Sequence, residues 1–239
     1  QGLIDEARLA HEQLLALSDR PKGRLSISMP YSLAIWLLPE ALRGFTNQYP
    51  ELDCEFDLSM RSSSDSHGTP YDVILRFGRD QVDAGADVNA VVQEVQTLDS
   101  YLYASTEYLE RHGEPRSPAD LAQHQCLRTA IDEAYSHWNL HNGVSSMRVH
   151  VDGHVAGNNI SVMGTLAGLG MGITRLPYCP ALDPVIKRNS LHRVLPDWTV
   201  DPMSVYAVFP SNLLPAKTRA FMEFIMPMLK PADEDPAAA

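Results

Sequence analysis

The chain is short of cysteine, of basic residues and of long apolar runs. Its three cysteines, Cys54, Cys126 and Cys179, are widely spaced and form no CxxC, which speaks for three reduced thiols rather than a disulfide framework or a zinc site. Nineteen Lys and Arg against 30 Asp and Glu give 19 − 30 = −11 with histidine neutral. Tight nucleic-acid binding needs Lys/Arg surfaces against phosphate, so this balance opposes it. A small anion responds to the local field of a cleft and is not excluded. The longest clean apolar run, Leu33 to Leu38, falls far short of the ~20 residues that span a bilayer, so no membrane partner is expected. Gln1 to Arg20 has no basic stretch leading into an apolar core, so no secretory signal is expected and the location reads as cytoplasmic. The chain begins without Met and within a helical pattern, as expected of a fragment.

Motifs of catalysis are missing too. There is no GxSxG, HExxH or Walker A, so no enzyme and no cofactor is expected. Gly168-Leu-Gly170-Met-Gly172 looks like a nucleotide loop but follows a helix and precedes a strand, the reverse of the required order. It reads as a helix end with a left-handed cap and a tight entry into the strand. His137/His141 and His150/His154 are each four apart, but lie in extended or irregular sequence without a carboxylate-rich partner, and no metal is expected.

What is present is ordinary globular composition: 239 residues, 44% apolar and 21% charged. That length suits one large domain or two lobes of roughly a hundred residues each. Leu3, Ala7, Ala10, Leu14 and Leu17 form a heptad stripe, which pairs with another helix or lies on its own domain. Pro21-Lys22-Gly23 breaks it. Arg24–Met29 alternates as a strand, and Leu33–Tyr49 reads as a helix with Ser32 as its cap candidate and Pro39 as a kink. Asp53–Met60, Tyr71–Arg76 and Thr97–Ser105 read as strands, Glu107–His112 and Pro118–His124 as short helices. Further strands are expected at Cys126–Ala130, Trp138–Leu140, Met147–Val151, Met171–Thr174, Leu191–Leu195 and Ser204–Phe209, with helices at Asn159–Gly168 and Lys217–Leu229. The alternation implies α/β architecture with largely parallel sheets and ligands at the carboxyl edge of the strands.

The segment from Ala104 to Leu127, ASTEYLERHGEPRSPADLAQHQCL, resembles the crossover segment of the effector-binding domain of LysR-type transcriptional regulators, roughly ASPxYLxxHGxPxxPxDLxxHxCL. Other matches follow in order: Gly23-Arg-Leu-Ser-Ile, Leu38-Pro39 with Phe45 and Tyr49-Pro50, Tyr71 to Gly78, Trp138, Gly157-Asn-Asn159, Ala167 to Ile173 with Leu176-Pro177, Val194 to Trp198, and Ala220-Phe221. The resemblance runs from Gly23 to about Lys230. Thr106 replaces a frequent Pro, and Asn189-Ser190 replaces a Gly-containing turn.

The resemblance implies a fold of two Rossmann-like α/β lobes joined by two crossover strands, like type 2 periplasmic binding proteins, preceded by a partial linker helix. Residues 1–21 would be the end of that helix, 22–105 with 208–231 lobe I, 106–207 lobe II and 232–239 an acidic disordered tail. A winged helix-turn-helix would precede the linker and alone would contact DNA. The effector would lie between the lobes, and a small organic acid is expected. Met29, Pro30, Tyr31 and Ser32 lead into one helix start and Asn158 and Asn159 into another, each offering backbone N–H groups and a positive dipole end. Ser32 and Asn159 either cap these helices or donate to a carboxylate. Arg61 with Ser62, and Arg76, offer guanidinium forks, against a competing role in structural ion pairs. Phe77 and Thr129 would wall the pocket with Tyr31, and Thr174 and Arg175 would approach from lobe II. A homodimer or homotetramer is implied, with Leu33, Leu37, Ala41, Leu42, Met163, Leu166 and Ala167 as interface candidates or as helix-to-sheet core. The same fold also serves solute-binding proteins of transporters, which is the competing reading.

Overall fold

The structure, a computed structural model, describes residues 20–59, 71–79, 82, 90–129 and 136–230. The Leu3–Leu17 heptad, Arg61, Ser62 and the tail 232–239 lie outside the described residues. The described residues divide into two α/β units. One takes those up to Gln96 together with Ser204–Leu229, the other Thr97–Met203 with Lys230.

In the first unit β1 (Gly23–Ser28) pairs in parallel with β2 (Leu52–Asp57) and β3 (Val73–Phe77). Leu25, Ile27, Val73, Leu75 and Phe77 alternate onto one buried face. Two helices cover it: α1 (Tyr31–Gln48), in which Pro39 leaves the Ile35 carbonyl without its usual donor, and the C-terminal helix (Ala216–Leu229). Phe45 of α1 packs edge-on against Phe221 and Phe224 at ring distances of 5.7 and 5.4 Å. Lys217 closes the unit: its Nζ donates to the Arg24 carbonyl at 2.6 Å and to Asp72 at 2.7 Å, while Asp72 also accepts from Ser26 N–H at 2.9 Å.

Two long strands pass from one unit to the other, β4 (Val91–Ser105) and the last strand (Thr199–Phe209). The passages fall after Gln96 and Met203. The sequence places lobe boundaries at Ser105 and Val208, where turn and helix signals stand; none stands mid-strand.

In the second unit, α2 (Thr106–His112) and a 3-10 helix (Pro118–Gln123) lead into β5 (Cys126–Thr129). Then come the hairpin β6 (His137–His141) and β7 (Ser146–His150), the short β8 (Ala156–Gly157), α3 (Ile160–Gly168), β9 (Ile173–Pro177), α4 (Asp183–Arg188) and β10 (Leu191–Val194). The strand Thr199–Phe209 is thus β11 and the helix Ala216–Leu229 is α5. Leu102, Ala104, Tyr108, Leu121, Cys126, Trp138, Val149, Ile173 and Val194 form the core of this unit. Gly170, at φ +75°, follows α3, and a Cβ on Gly172 would lie 2.3 Å from the Gln125 carbonyl oxygen, so both glycines serve the helix-end and tight-entry roles.

The expectation of largely parallel sheets is corrected. β5 runs parallel to β8 and β9, but β9 and β10 are antiparallel to β4, and β11 is antiparallel to β3 and β6. The two passing strands enter each sheet against the direction of its neighbours, which element-by-element reading does not reveal.

Candidate functional site

Arg76 sits on β3 at 5% exposure. Its Nη2 donates to Ser28 Oγ at 3.0 Å and its Nη1 to the Leu75 carbonyl at 2.8 Å. Ser28, the last residue of β1, is in register with Asp57 on one side and Ile74 on the other. Alternation therefore places Ser28, Asp57 and Arg76, with Ile74, on one face of the sheet and Leu25, Ile27, Val73, Leu75 and Phe77 on the other. Asp57 accepts from Ser59 N–H at 2.8 Å, from Ser59 Oγ at 2.5 Å, and from the Tyr71 hydroxyl. Burial lowers the Arg76 pKa from its usual value, while Tyr71 and Asp57 push it back up. The result is a charged donor fork with a carboxylate beside it that offsets part of its field.

Three residues after Ser28, α1 begins. Pro30, at φ −60° and ψ 139°, stands at the cap position, and no side chain caps the helix start. Ala34 N–H donates to the Pro30 carbonyl at 3.0 Å. The amides before Ala34 have no acceptor within the helix, and no acid occupies the first turn to answer the dipole. Ser32 is buried in that turn and is not the cap, because the helix starts at Tyr31. Met29 is core, Pro30 is buried and Tyr31 is exposed. Phe77 packs against Trp36 at 6.0 Å on the apolar face, the face opposite Arg76.

In the second unit Asn159 does cap its helix: Oδ1 accepts from Val162 N–H at 3.1 Å. Asn158 beside it is exposed. Thr129 pairs in register with Gly157, which brings it to the β5–β8 edge just before α3. Thr174 is fully buried on β9, and its hydroxyl has no hydrogen-bond partner among the described residues. Arg175, also buried, is its neighbour on the strand and so turns to the other face. Thr174 and Arg175 are thus not brought to one surface.

Ser28, Asp57 and Tyr71 are not among the site residues expected from the sequence. The signal for two of them is legible afterwards: Ser26 and Ser28, like Glu55 and Asp57, occupy alternate positions of their strands.

The interface candidates divide by burial within the chain. Leu33, Leu37, Ala41, Met163 and Ala167 are buried within the chain itself. Leu42 and Leu166 are half-buried.

The cysteines are free. Burial pushes the Cys126 thiol up to about 12 and Cys179 up to about 11. His137 and His150 meet edge-on across the β6–β7 pair at 5.2 Å, and His141 lies 2.9 Å from Asp201. Among the described residues no group of three or more His, Cys, Asp or Glu is placed to hold a metal, and no helix is long and apolar enough to cross a membrane.

The sequence matches the LysR substrate binding domain family over residues 18–230. An HTH-type transcriptional regulator of Xanthomonas campestris pv. campestris is 28% identical over 234 residues, 96% of this chain and 66% of that protein. The chain therefore spans just under two thirds of that relative's length. The regulatory domain of AphB in Vibrio vulnificus matches with a TM-score of 0.61 at 26% identity, covering 86% of this chain and 98% of that one. The CrgA regulatory domain of Neisseria meningitidis, from a LysR-type transcriptional regulator, shares the fold at a TM-score of 0.72 and 24% identity, covering 88% of this chain and 100% of its own. With the family match extending over all of the described residues, the chain belongs to the LysR substrate-binding domain family.

Proposed function

We propose that the chain is the ligand-sensing part of a bacterial, cytoplasmic LysR-type transcriptional regulator and that its effector is a small organic anion. Family membership supports the regulatory role. The observation that carries the anion is the buried Arg76 fork bonded to Ser28, three residues before an uncapped helix start without acids. A carboxylate can take two parallel N–H bonds from a guanidinium, and amides at a helix start add a favourable dipole. Arg61 and Ser62 from the same half, and Thr129, Asn158, Asn159, Thr174 and Arg175 from the other, remain in the proposal as effector contacts. The two-lobed mode of capture is taken from the family.

The bound state passes, in this reading, through packing of a homodimer or homotetramer to a winged helix-turn-helix outside this chain, which alone holds DNA. An effector shifts that equilibrium only by its differential affinity for the two packings.

A thermal-shift screen of organic acids, neutral sugars and cations tests the reading. At a hundredfold excess over Kd a ligand adds about 2.7 kcal/mol, or about 5–10 °C for a chain of this size. Stabilisation by carboxylates is the expected result; stabilisation by sugars or cations alone would overturn it.

A further inference from the structure

In the second unit, Tyr108 lies between two imidazoles. Its ring stacks on His112 at 4.5 Å and 26°, and tilts against His124 at 5.8 Å. Its hydroxyl accepts from the Gln125 N–H at 2.9 Å and is 3.1 Å from His124 Nδ1. The Gln125 N–H takes one of the hydroxyl's two lone pairs, which leaves the hydroxyl proton for a His124 Nδ1 that carries none and the second lone pair for one that does. When His124 is neutral with its proton on Nε2, the Tyr108 hydroxyl donates to Nδ1. Gln125 stands immediately before β5; its carbonyl accepts from Ile173 N–H at 2.8 Å. One buried hydroxyl thus joins α2, the end of the 3-10 helix and the strand that carries the β5–β9 pairing.

We propose that Tyr108, His112 and His124 form an acid-sensitive latch, which ties α2 to the start of β5 while His124 is neutral and loosens when it is protonated. A proton on Nδ1 turns the hydroxyl from donor to acceptor, so that its oxygen must serve the Gln125 N–H and a charged imidazole N–H together. The groups facing His124 set the balance. From α2, Tyr108 needs the neutral ring, and the charge of His112 opposes a second charge. From the 3-10 helix, Asp120 favours the charged ring. From β5, Cys126 sits by the Tyr108 hydroxyl as a neutral thiol. On β7, Arg148 and His150 bear on His137 instead. Burial and His112 outweigh Asp120, and His124 is held below the usual 6.5. The sign follows. Below 6.5 the unfolded chain takes up a proton that the latched state refuses, so the latch is fully engaged above 6.5 and weakens as pH falls toward the lowered folded value.

The test uses the intact chain. NMR titration follows the His124 ring, and amide exchange gives the protection of Gln125 N–H on either side of pH 6.5. The expected result is a His124 midpoint below 6.5 and about a tenfold loss of Gln125 protection in acid. His124→Gln, neutral at both pH values, should keep its protection in acid, and Tyr108→Phe should return the His124 midpoint toward 6.5. A wild-type midpoint at or above 6.5, or Gln125 protection that ignores pH, would overturn the proposal. So would His124→Gln losing protection in acid as the wild type does. The wild-type measurements alone decide it if Tyr108→Phe does not fold.

Discussion

Arg76 and Ser28 form a buried side-chain hydrogen bond of 3.0 Å across neighbouring parallel strands, 48 residues apart in the chain. The bond ties a charged fork to the residue at which β1 gives way to the turn into α1. It makes Arg76 a structural donor, to which the proposed effector contact would add a second role, and the two roles predict different losses.

Arg76→Ala should cost about 2 kcal/mol of stability, because Ser28 Oγ and the Leu75 carbonyl lose a charged donor. The variant should still fold, and it should lose tenfold or more in apparent affinity for whichever organic acid stabilises the wild type. Arg76→Lys should recover charge but not the planar fork, and so regain only part of that affinity. Urea unfolding and ligand thermal shifts separate the two effects. Unchanged ligand response in Arg76→Ala would remove Arg76 from the site.

Lys217→Met should cost about 2–3 kcal/mol, because it leaves the mostly buried Asp72 carboxylate and the Arg24 carbonyl without their ammonium partner. Adding Asp72→Asn should cost less than the sum of the two single changes, since they share one interaction. A denaturant double-mutant cycle measures this, and strict additivity would refute it.

Gly172→Ala should cost about 3 kcal/mol or more, since the new Cβ would meet the Gln125 carbonyl oxygen at 2.3 Å. Gly143→Ala is the control. It too has positive φ, +80°, but open space around it, so only the conformational cost of about 1 kcal/mol is expected. Equal losses in thermal unfolding would show that space is not what Gly172 provides.

Alkylation should distinguish the thiols. A thiol raised from 9.0 to about 12, as Cys126 is, holds about a thousandfold less thiolate than a free cysteine, and burial shuts out the reagent as well. The half-buried Cys54 should therefore react first, and Cys126 and Cys179 only as the chain unfolds. Mass spectrometry after timed iodoacetamide exposure reads the order. Early labelling of Cys126 would contradict it.

Much of the fold is legible in the sequence because its pattern is local. Leu25 and Ile27 alternate with Arg24 and Ser26, and the Phe221, Phe224, Ile225, Leu229 stripe of α5 repeats with the helical period. What is not legible depends on context that a local pattern lacks. Strand direction is not encoded in any one strand, so the antiparallel entry of β4 and β11 leaves no local trace. The start of β4 at Val91 is hidden because Gln93, Glu94 and Gln96 dilute its apolar signal. Ser32 looks like a cap by residue type, but the helix begins a residue earlier, after Pro30. The apolar stripes of α1 and α3 are buried within the chain, but a stripe alone does not say whether a sheet or a second chain covers it. At the site, Arg76 can be picked by position, whereas its neighbour Asp57 needs the β1–β2 register.

All strands and helices of the second unit lie in one stretch, Thr97–Met203, whereas the first needs Ser204–Leu229 to complete a sheet begun more than a hundred residues earlier. During synthesis the second unit can therefore finish before the first. Until the ribosome releases α5, Phe45 and its neighbours have no Phe221 to close over them, and the nascent chain carries an open oily surface that invites chaperones. Chains stalled before Ser204 should accordingly protect the second unit, and not the first, from protease.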